Sequence, residues 1–537
     1  MRRAFLAALI SAIVAQSADA GPRFRDLSQT LPVPHIYGGD WEHFVGGGVA
    51  VFDCNADGFP DVFAAGGENP ARLFVNTAKV PGETINFTLA EAPAKDLTGV
   101  IGAYPLDIDG DGHLDLFVLR VGENRVLRGE GDCSFSRVDD TWGIAPGNDW
   151  STAFAAIWEP GAEWPTFAVG NYVDRERPDG PFGACDIHQL FRPSEGSYRP
   201  PEIIAPGYCA LSMLFVDWSG TGASDLWISN DRHYYVHEGQ EQLFRISPAL
   251  KEFGADDGWP EHKLWGMGIA ARDITGDGRP EIAVTSMADQ KLFTLKDPAH
   301  RPAFSSIAYE RGTTAHVPHI GDEGRPSAGW HVAFGDVDND GLDDLYFAKG
   351  NVNQMPSLAM RDPDNLLMQG ADGRFTEAAA DAGVASMERG RGAALVDLNR
   401  DGLLDLVVVQ RRAPMAVYQN ETSQPGHWLA VRLLQDSGNR NAVGARIELV
   451  AGGRSQTREV HVGGGHAGGH AGFEHFGLGD AAEGRLRVIW PDGDVSPWSD
   501  VSANHHLVIT RNSESLSISR DEALRAANGN GKTGQKN

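Results

Sequence analysis

Few features of the sequence betray a biochemical class. Cysteine is scarce, with four in 537 residues, so this is no disulfide-dense scaffold. None falls in a C-x-x-C-H, which excludes covalent c-type haem. The one long apolar run, residues 5–15, is too short to span a bilayer as a helix. Basic charge is also in deficit: 46 Lys and Arg stand against 73 Asp and Glu, for a net charge of −27. No basic stripe or aromatic-basic interleaving argues for nucleic acid. There is no G-x-S-x-G elbow, no H-E-x-x-H and no P-loop, so no local motif marks a catalyst. Only an enzyme with a site assembled from distant loops is compatible with that absence.

The first twenty residues read as a signal peptide. Arg2 and Arg3 form the charged region, residues 5–15 the apolar core, and Ala18-Asp19-Ala20 a cleavage site before Gly21. No cysteine sits at the cleavage point, which argues against a lipoprotein anchor. The mature chain is expected to be soluble and exported, in the periplasm or outside the cell. Export permits disulfides. Cys54, Cys133, Cys185 and Cys209 allow three pairings. Cys185 with Cys209 is expected, tying off a proline-rich excursion; four buried thiols are the alternative.

What the chain has in abundance is one acidic turn, D-x-D/N-x-D-G-x-x-D or a close relative, six times over. The copies start at Asp53, Asp107, Asp217, Asp273, Asp336 and Asp397, each between short apolar runs. Alternate residues of a tight loop can point oxygens at one centre, and Ca²⁺ takes six to eight hard oxygen ligands. The expected ligand sets are Asp53, Asn55, Asp57 and Asp61; Asp107, Asp109, Asp111 and Asp115; Asp217, Ser219, Thr221 and Asp225; Asp273, Thr275, Asp277 and Glu281; Asp336, Asp338, Asp340 and Asp344; and Asp397, Asn399, Asp401 and Asp405. The closing acid is at position 9, not 12, and β-type runs flank the loop, so these are not EF-hands. The Asp217 loop, with two acids, ranks weakest. Six acidic turns without metal are the alternative. The loops account for nineteen of the acids, so the negative charge is largely ligand charge. Up to six structural Ca²⁺ are expected, and millimolar external calcium suits sites of modest affinity.

Successive loops begin 54, 110, 56, 63 and 61 residues apart. The double gap implies a seventh repeat without ligands around residues 154–172, with Trp158 where the first Asp would be. Seven units of this size predict seven four-stranded blades. The seventh unit lacks a last strand after Val417 to Asn420, and Phe24-Arg25-Asp26-Leu27 resembles it. The N-terminus is therefore expected to close the ring. The repeat stops at Pro425-Gly426, giving a propeller over 21–425 and a separate β-rich domain over 426–512. Residues 513–537 turn polar and read as a disordered tail.

The loop repeat resembles the FG-GAP or VCBS repeats of integrin-α-like propellers. Asn441-Ala442-Val443-Gly444-Ala445-Arg446, Arg458-Glu459-Val460, Gly463-Gly464-Gly465, Phe476-Gly477-Leu478-Gly479 and Trp490-Pro491-Asp492-Gly493 resemble the ASPIC/UnbV domain. The combination is similar to the cartilage acidic protein family and its bacterial relatives. It implies an all-β fold, a seven-bladed calcium-loaded propeller followed by a small β-rich domain, and no established reaction. One departure is His466, where many such domains carry an aromatic residue after the glycine run. The tract holding His461, His466, His470 and His475 could bind Zn²⁺ or Cu²⁺, but no acid or Cys completes a recognisable set and structural turns are the better reading.

In such blades the calcium turns share one face, where Cys54 also comes within reach of Cys133. The opposite face gathers Asn230, Asp231, Arg232, His233, Tyr234, Tyr235, Trp265, Trp330, His331, Asn351 and Arg411. Aromatic rings there could stack on a sugar while arginine holds a carboxylate; the plain alternative is that they brace the loops. The chain is thus expected to be a calcium-binding propeller recognising an unidentified protein or glycan. The alternative is an enzyme acting on a carbohydrate or small molecule at the face opposite the calcium.

Overall fold

The computed structural model describes residues 21–521 apart from 91–96, 145–146, 178–183, 232–238, 297–300, 315–323, 354 and 513–515. The expected signal peptide and residues 522–537 lie outside the described residues. Seven four-stranded antiparallel sheets follow one another along the chain. Their innermost strands are Val49–Phe52, Val100–Leu106, Ser151–Ile157, Ala210–Val216, Gly266–Arg272, Gly329–Gly335 and Gly390–Val396. All but the third is joined to its neighbour by one of the six acidic turns. In the third blade the turn between Ser151–Ile157 and Thr166–Asn171 carries Trp158, whose indole N–H donates to the Glu163 carbonyl at 3.2 Å. Val, Leu, Ile and Phe fill the second strands, which are buried on both sides because each blade is packed between two others. Aromatic rings cement these contacts: Phe154 of the third blade lies 4.5 Å from Phe117 of the second.

The ring closes through its termini. Phe24–Asp26 pairs with Ala416–Asn420, Phe24 opposite Asn420, so the last blade is completed by the start of the chain and no strand edge is left open there. Six inner strands share an irregularity near their first residues, as between Val100 and Gly102 or Ser151 and Ala153. Such bulges sharpen the local twist.

The C-terminal domain has two four-stranded sheets. One is ordered Glu474–Gly479, His427–Gln435, His505–Arg511, Leu516–Arg520; the other Arg454–Glu459, Arg446–Ala451, Glu483–Ile489, Ser499–Ser502. They share one core around Leu429, Ile447, Phe476, Val488 and Ile509. The edge strand Leu516–Arg520 corrects the expectation of a tail beginning at 513. Its residues pair antiparallel with His505–Arg511, Ile518 opposite Ile509. Polar composition misleads there because an edge strand buries little.

The glycine- and histidine-rich tract is not a surface turn, and among the described residues its histidines join no converging group of three metal-ligating side chains. It leaves the C-terminal domain and enters the axial channel of the propeller. His470–Ala471 pairs parallel with Val49–Phe52 as a fifth strand on the first blade. Ala156 N–H donates to Val462 O at 2.9 Å, Gly464 N–H to Met213 O at 2.7 Å, and Gly465 N–H to Ile269 O at 2.7 Å. The close approach dictates glycine on the channel wall: a Cβ at Gly48 or Gly102 would lie 1.8 or 1.6 Å from the Ala467 carbonyl oxygen.

Candidate metal centres

The six acidic turns are built alike. The first Asp accepts backbone N–H groups from inside its own loop, Asp53 from Gly58 at 2.8 Å, Asp107 from Gly112 at 2.9 Å and Asp336 from Gly341 at 2.7 Å. The fifth-position Asp accepts the N–H of position 7, as Asp57 does from Phe59 at 3.0 Å. Two left-handed residues bend the chain so that this is possible. Position 6 is always glycine, with φ between 82° and 93° at Gly58, Gly112, Gly222, Gly278, Gly341 and Gly402. Position 4 is also left-handed, though Ala56, Asn339 and Arg400 occupy it in three loops.

The ninth-position acid opens the second strand and is deeply buried. Asp61 takes the N–H groups of Cys54 at 2.9 Å and Asn76 at 2.8 Å; Asp115 takes Ile108 at 2.8 Å and Gly129 at 2.9 Å; Asp405 takes Leu398 at 2.9 Å and Asn420 at 2.8 Å. One carboxylate thus ties first, second and third strands together. Burial pushes Asp61 and Asp115 up to about 8 and Glu281 to about 7, and holds Asp344 and Asp405 well above the usual carboxylate range. The neighbouring loop acids add to the rise in each. Oxygens of Asp107, Asp109 and Asp115 lie within 4.8 Å of one another, as do those of Asp336, Asp338 and Asp340. Carboxylates held this close around the buried Asp107, Asp115 and Asp336, with oxygen donors only, fit a hard divalent cation.

The Asp217 loop departs from the pattern. Its Asp225 accepts the Trp218 indole N–H at 2.7 Å instead of a backbone group. Arg446 of the C-terminal domain places a guanidinium nitrogen 3.5 Å from Asp217, and the Asp217 N–H donates to Glu459 at 3.3 Å. Ser219 and Thr221 bond to each other at 2.7 Å. Arg446 here stands beside the acid as a built-in cation. In the second loop Arg128 binds Asp109 at 2.7 Å and also reaches Asp111, while Asp107, Asp109 and Asp115 still converge.

The C-terminal domain is seated over this turn face. Gly426 N–H donates to Asp338 O at 3.0 Å and Gly479 N–H to Asn339 O at 2.8 Å. His475 meets Asn339 at 2.7 Å, His506 lies 3.3 Å from Asp397, and Arg458 donates to Asp343 at 3.0 Å. Between the domain and the channel mouth lie two adjoining cavities of about 170 and 320 Å³. The same face carries the Cys54–Cys133 disulfide joining the first two blades; Cys185–Cys209 joins the third and fourth. The bonded Cys54 and Cys133 leave Asp61 beside them without a thiolate partner for metal.

On the opposite face the expected ligand residues have internal partners. Asn230 donates to Gln240 O and Gln242, and Asp231 accepts the Tyr172 hydroxyl. Trp330 donates to Gly350 O at 2.7 Å beneath the guanidinium of Arg391, 3.9 Å from its ring centre. His331 accepts the His466 N–H, Asn351 donates to Met355 O and Ala359 O, and Arg411 binds His43 O, Gly39 O and Asn353. These six are buried; Trp265 is half-buried. Arg232, His233, Tyr234 and Tyr235 lie outside the described residues. The seat of the C-terminal domain was not foreseen, although the glycines and Gly-His spacing of the tract carried the signal. His466 fills the place of the missing aromatic by packing edge-on to Trp330, 5.2 Å between ring centres. Among the described residues no helix is long and apolar enough to cross a membrane.

Comparison with known proteins agrees with this architecture. Residues 53–118 match the model of an FG-GAP-like repeat, and residues 435–516 that of ASPIC and UnbV. Cartilage acidic protein 1 of Xenopus tropicalis is 24% identical over 506 residues, covering 83% of this chain and 70% of the relative; the Homo sapiens protein is 23% identical over 497 residues, covering 83% and 69%. Among solved structures, BBS1N in complex with ARL6DN aligns with a TM-score of 0.43 at 10% identity, over 72% of this chain and 94% of that one. An Agrocybe aegerita lectin recognising non-reducing terminal N-acetylglucosamine aligns at 0.39 and 16% identity, over 70% and 92%. The chain is an FG-GAP-repeat β-propeller with a C-terminal ASPIC and UnbV domain, related over most of its length to cartilage acidic protein 1.

Proposed function

We propose that this chain is an exported calcium-binding propeller that recognises a protein or glycan, with calcium in a structural role. The observation that carries the reading is the convergence of like-charged carboxylates in the Asp107 and Asp336 turns, whose scaffold the other turns share. The sets begun by Asp53, Asp107, Asp273, Asp336 and Asp397 would hold Ca²⁺ through alternate side-chain oxygens and the ninth-position acid. The ion would offset their mutual repulsion and fix the first two strands of each blade. The C-terminal domain covers the turn face, which leaves the opposite rim for a large partner. Exposed Arg412 and half-buried Arg389 and Trp265 stand on that rim, suited to an acidic or sugar-bearing surface.

The test is thermal unfolding of the mature protein in calcium and in chelator, with metal content measured on the same samples. Ligand at a hundred times its dissociation constant stabilises by about 2.7 kcal/mol per site, so several sites should raise the transition strongly. Metal-free protein with an unchanged transition would sink the reading.

A further inference from the structure

The two cavities beneath the C-terminal domain share six wall residues: Arg272, Phe334, Leu395, His461, His470 and Glu474. They are therefore one vestibule, bounded by the inner strands of the propeller on one side and by the axial tract and the C-terminal sheets on the other. A polar wall inside a protein normally consumes its own hydrogen-bonding groups. Here three side chains do not. The Arg272 side chain makes no hydrogen bond among the described residues; the carboxylate it pairs with is Asp343 at 3.8 Å, which Arg458 already holds at 3.0 Å. Glu474 and His470 likewise have no side-chain hydrogen bond among the described residues, and His470 is exposed within the space, so water reaches it. Two guanidinium groups share Asp343 there, and the Glu474 carboxylate, near enough to Arg458 to act on its charge, and the His470 imidazole face the same space as the apolar Phe334 and Leu395.

We infer that this vestibule is a binding site for a small sugar acid. Arg272 would take its carboxylate in the paired geometry guanidinium favours. Glu474 would accept from ring hydroxyls, with His470 as donor or acceptor beside it, and the C–H face of the ring would lie on Phe334 and Leu395. The larger cavity, about 320 Å³, falls in the range of small-molecule sites, roughly 300–1,000 Å³. The site is separate from the rim assigned above to a large partner, and it borders the metal turns: Asp273 lines the smaller cavity and Asp53, Asp107 and Asp397 the larger, so calcium there would offset the charge an anionic ligand meets.

The test is calorimetric titration of the full mature chain in calcium buffer with D-glucuronate, against D-glucose and D-glucuronamide, which lack the carboxylate. Arg272→Gln and Glu474→Gln are titrated beside it, and bound calcium is measured on every sample. Binding of glucuronate but of neither neutral sugar, weakened about tenfold or more by either variant at unchanged calcium content, is expected. Absence of binding to the wild-type chain overturns the inference, as does equal binding of the acid and the neutral sugars or equal binding by the variants. Should Arg272→Gln lose calcium through its neighbour Asp273, Glu474→Gln decides alone. Protein that holds no calcium yet binds glucuronate keeps this site and sinks the calcium reading; the converse does the opposite.

Discussion

At the scale of single residues, similar acidic turns are not equivalent. The Asp336 set converges with no basic side chain on its inner oxygens, whereas Asp217 already faces Arg446 and has only one other acid in its loop. Asp217→Asn is therefore expected to leave the number of bound calcium ions unchanged, while Asp336→Asn lowers it by one, read as metal content after gel filtration. A buried acid elsewhere gives a pH effect of its own. Glu241 is enclosed in the fourth blade, accepts N–H groups from Trp227 at 3.0 Å and Asn230 at 2.9 Å, and is pushed by burial up to about 8 from an ordinary 4.5. The folded state therefore binds its proton more tightly than the unfolded state does. That contribution to stability is full below about pH 4.5, declines as pH rises, and is gone above about 8. Glu241→Gln carries no such charge. The stability of the variant relative to wild type should rise between pH 5 and pH 8, measured by denaturant unfolding at both values.

At the scale of elements, the strand–turn–strand repeat was legible because it combines two signals, apolar runs and an acidic turn with glycine at position 6. Ring closure by Phe24–Asp26 was legible because the seventh repeat stops one strand short. Three features were not. Left-handed position 4 is masked by Ala56 and Arg400, residues that, unlike glycine or Asn339, do not advertise the conformation. The edge strand Leu516–Arg520 hides in polar sequence. The axial tract reads locally as turns, because its hydrogen-bond partners lie hundreds of residues away on blade strands. Its dependence on close approach is testable at Gly102, where a Cβ would meet the Ala467 carbonyl. Gly102→Ala should destabilise by about 1–3 kcal/mol, the usual cost of overpacking, and should speed proteolysis within residues 461–471. Unchanged stability and cleavage would mean that the tract does not occupy the channel.

At the scale of the whole molecule, the two domains are not beads on a string. The linker itself is fastened to an acidic turn, since Gly426 N–H donates to the carbonyl of Asp338, a residue of the expected ligand set. The next turn, begun by Asp397, lies under His506, and Gly402 of that turn packs so closely on Trp428 that a Cβ would fall 1.9 Å from the indole. Calcium at these two turns would hold the loop backbone in the shape the C-terminal domain grips. Removing it sets the acids repelling one another, and that repulsion acts on the carbonyls and glycines of the seat. Chelation is therefore expected to loosen the seat at the turns of the sixth and seventh blades before the propeller core yields, because Cys54–Cys133 still clasps the first two blades and the axial tract still pairs with Val49–Phe52. The observable is cleavage between residues 421 and 427, followed by gel electrophoresis below the unfolding temperature. Cleavage should be slow in calcium and fast in chelator, and Asp338→Ala in calcium should resemble the chelated wild type. If chelation instead leaves that linker protected while the global transition falls, calcium steadies the blades without steadying the seat, which the direct bonds of Arg458 to Asp343 and His475 to Asn339 then hold without it.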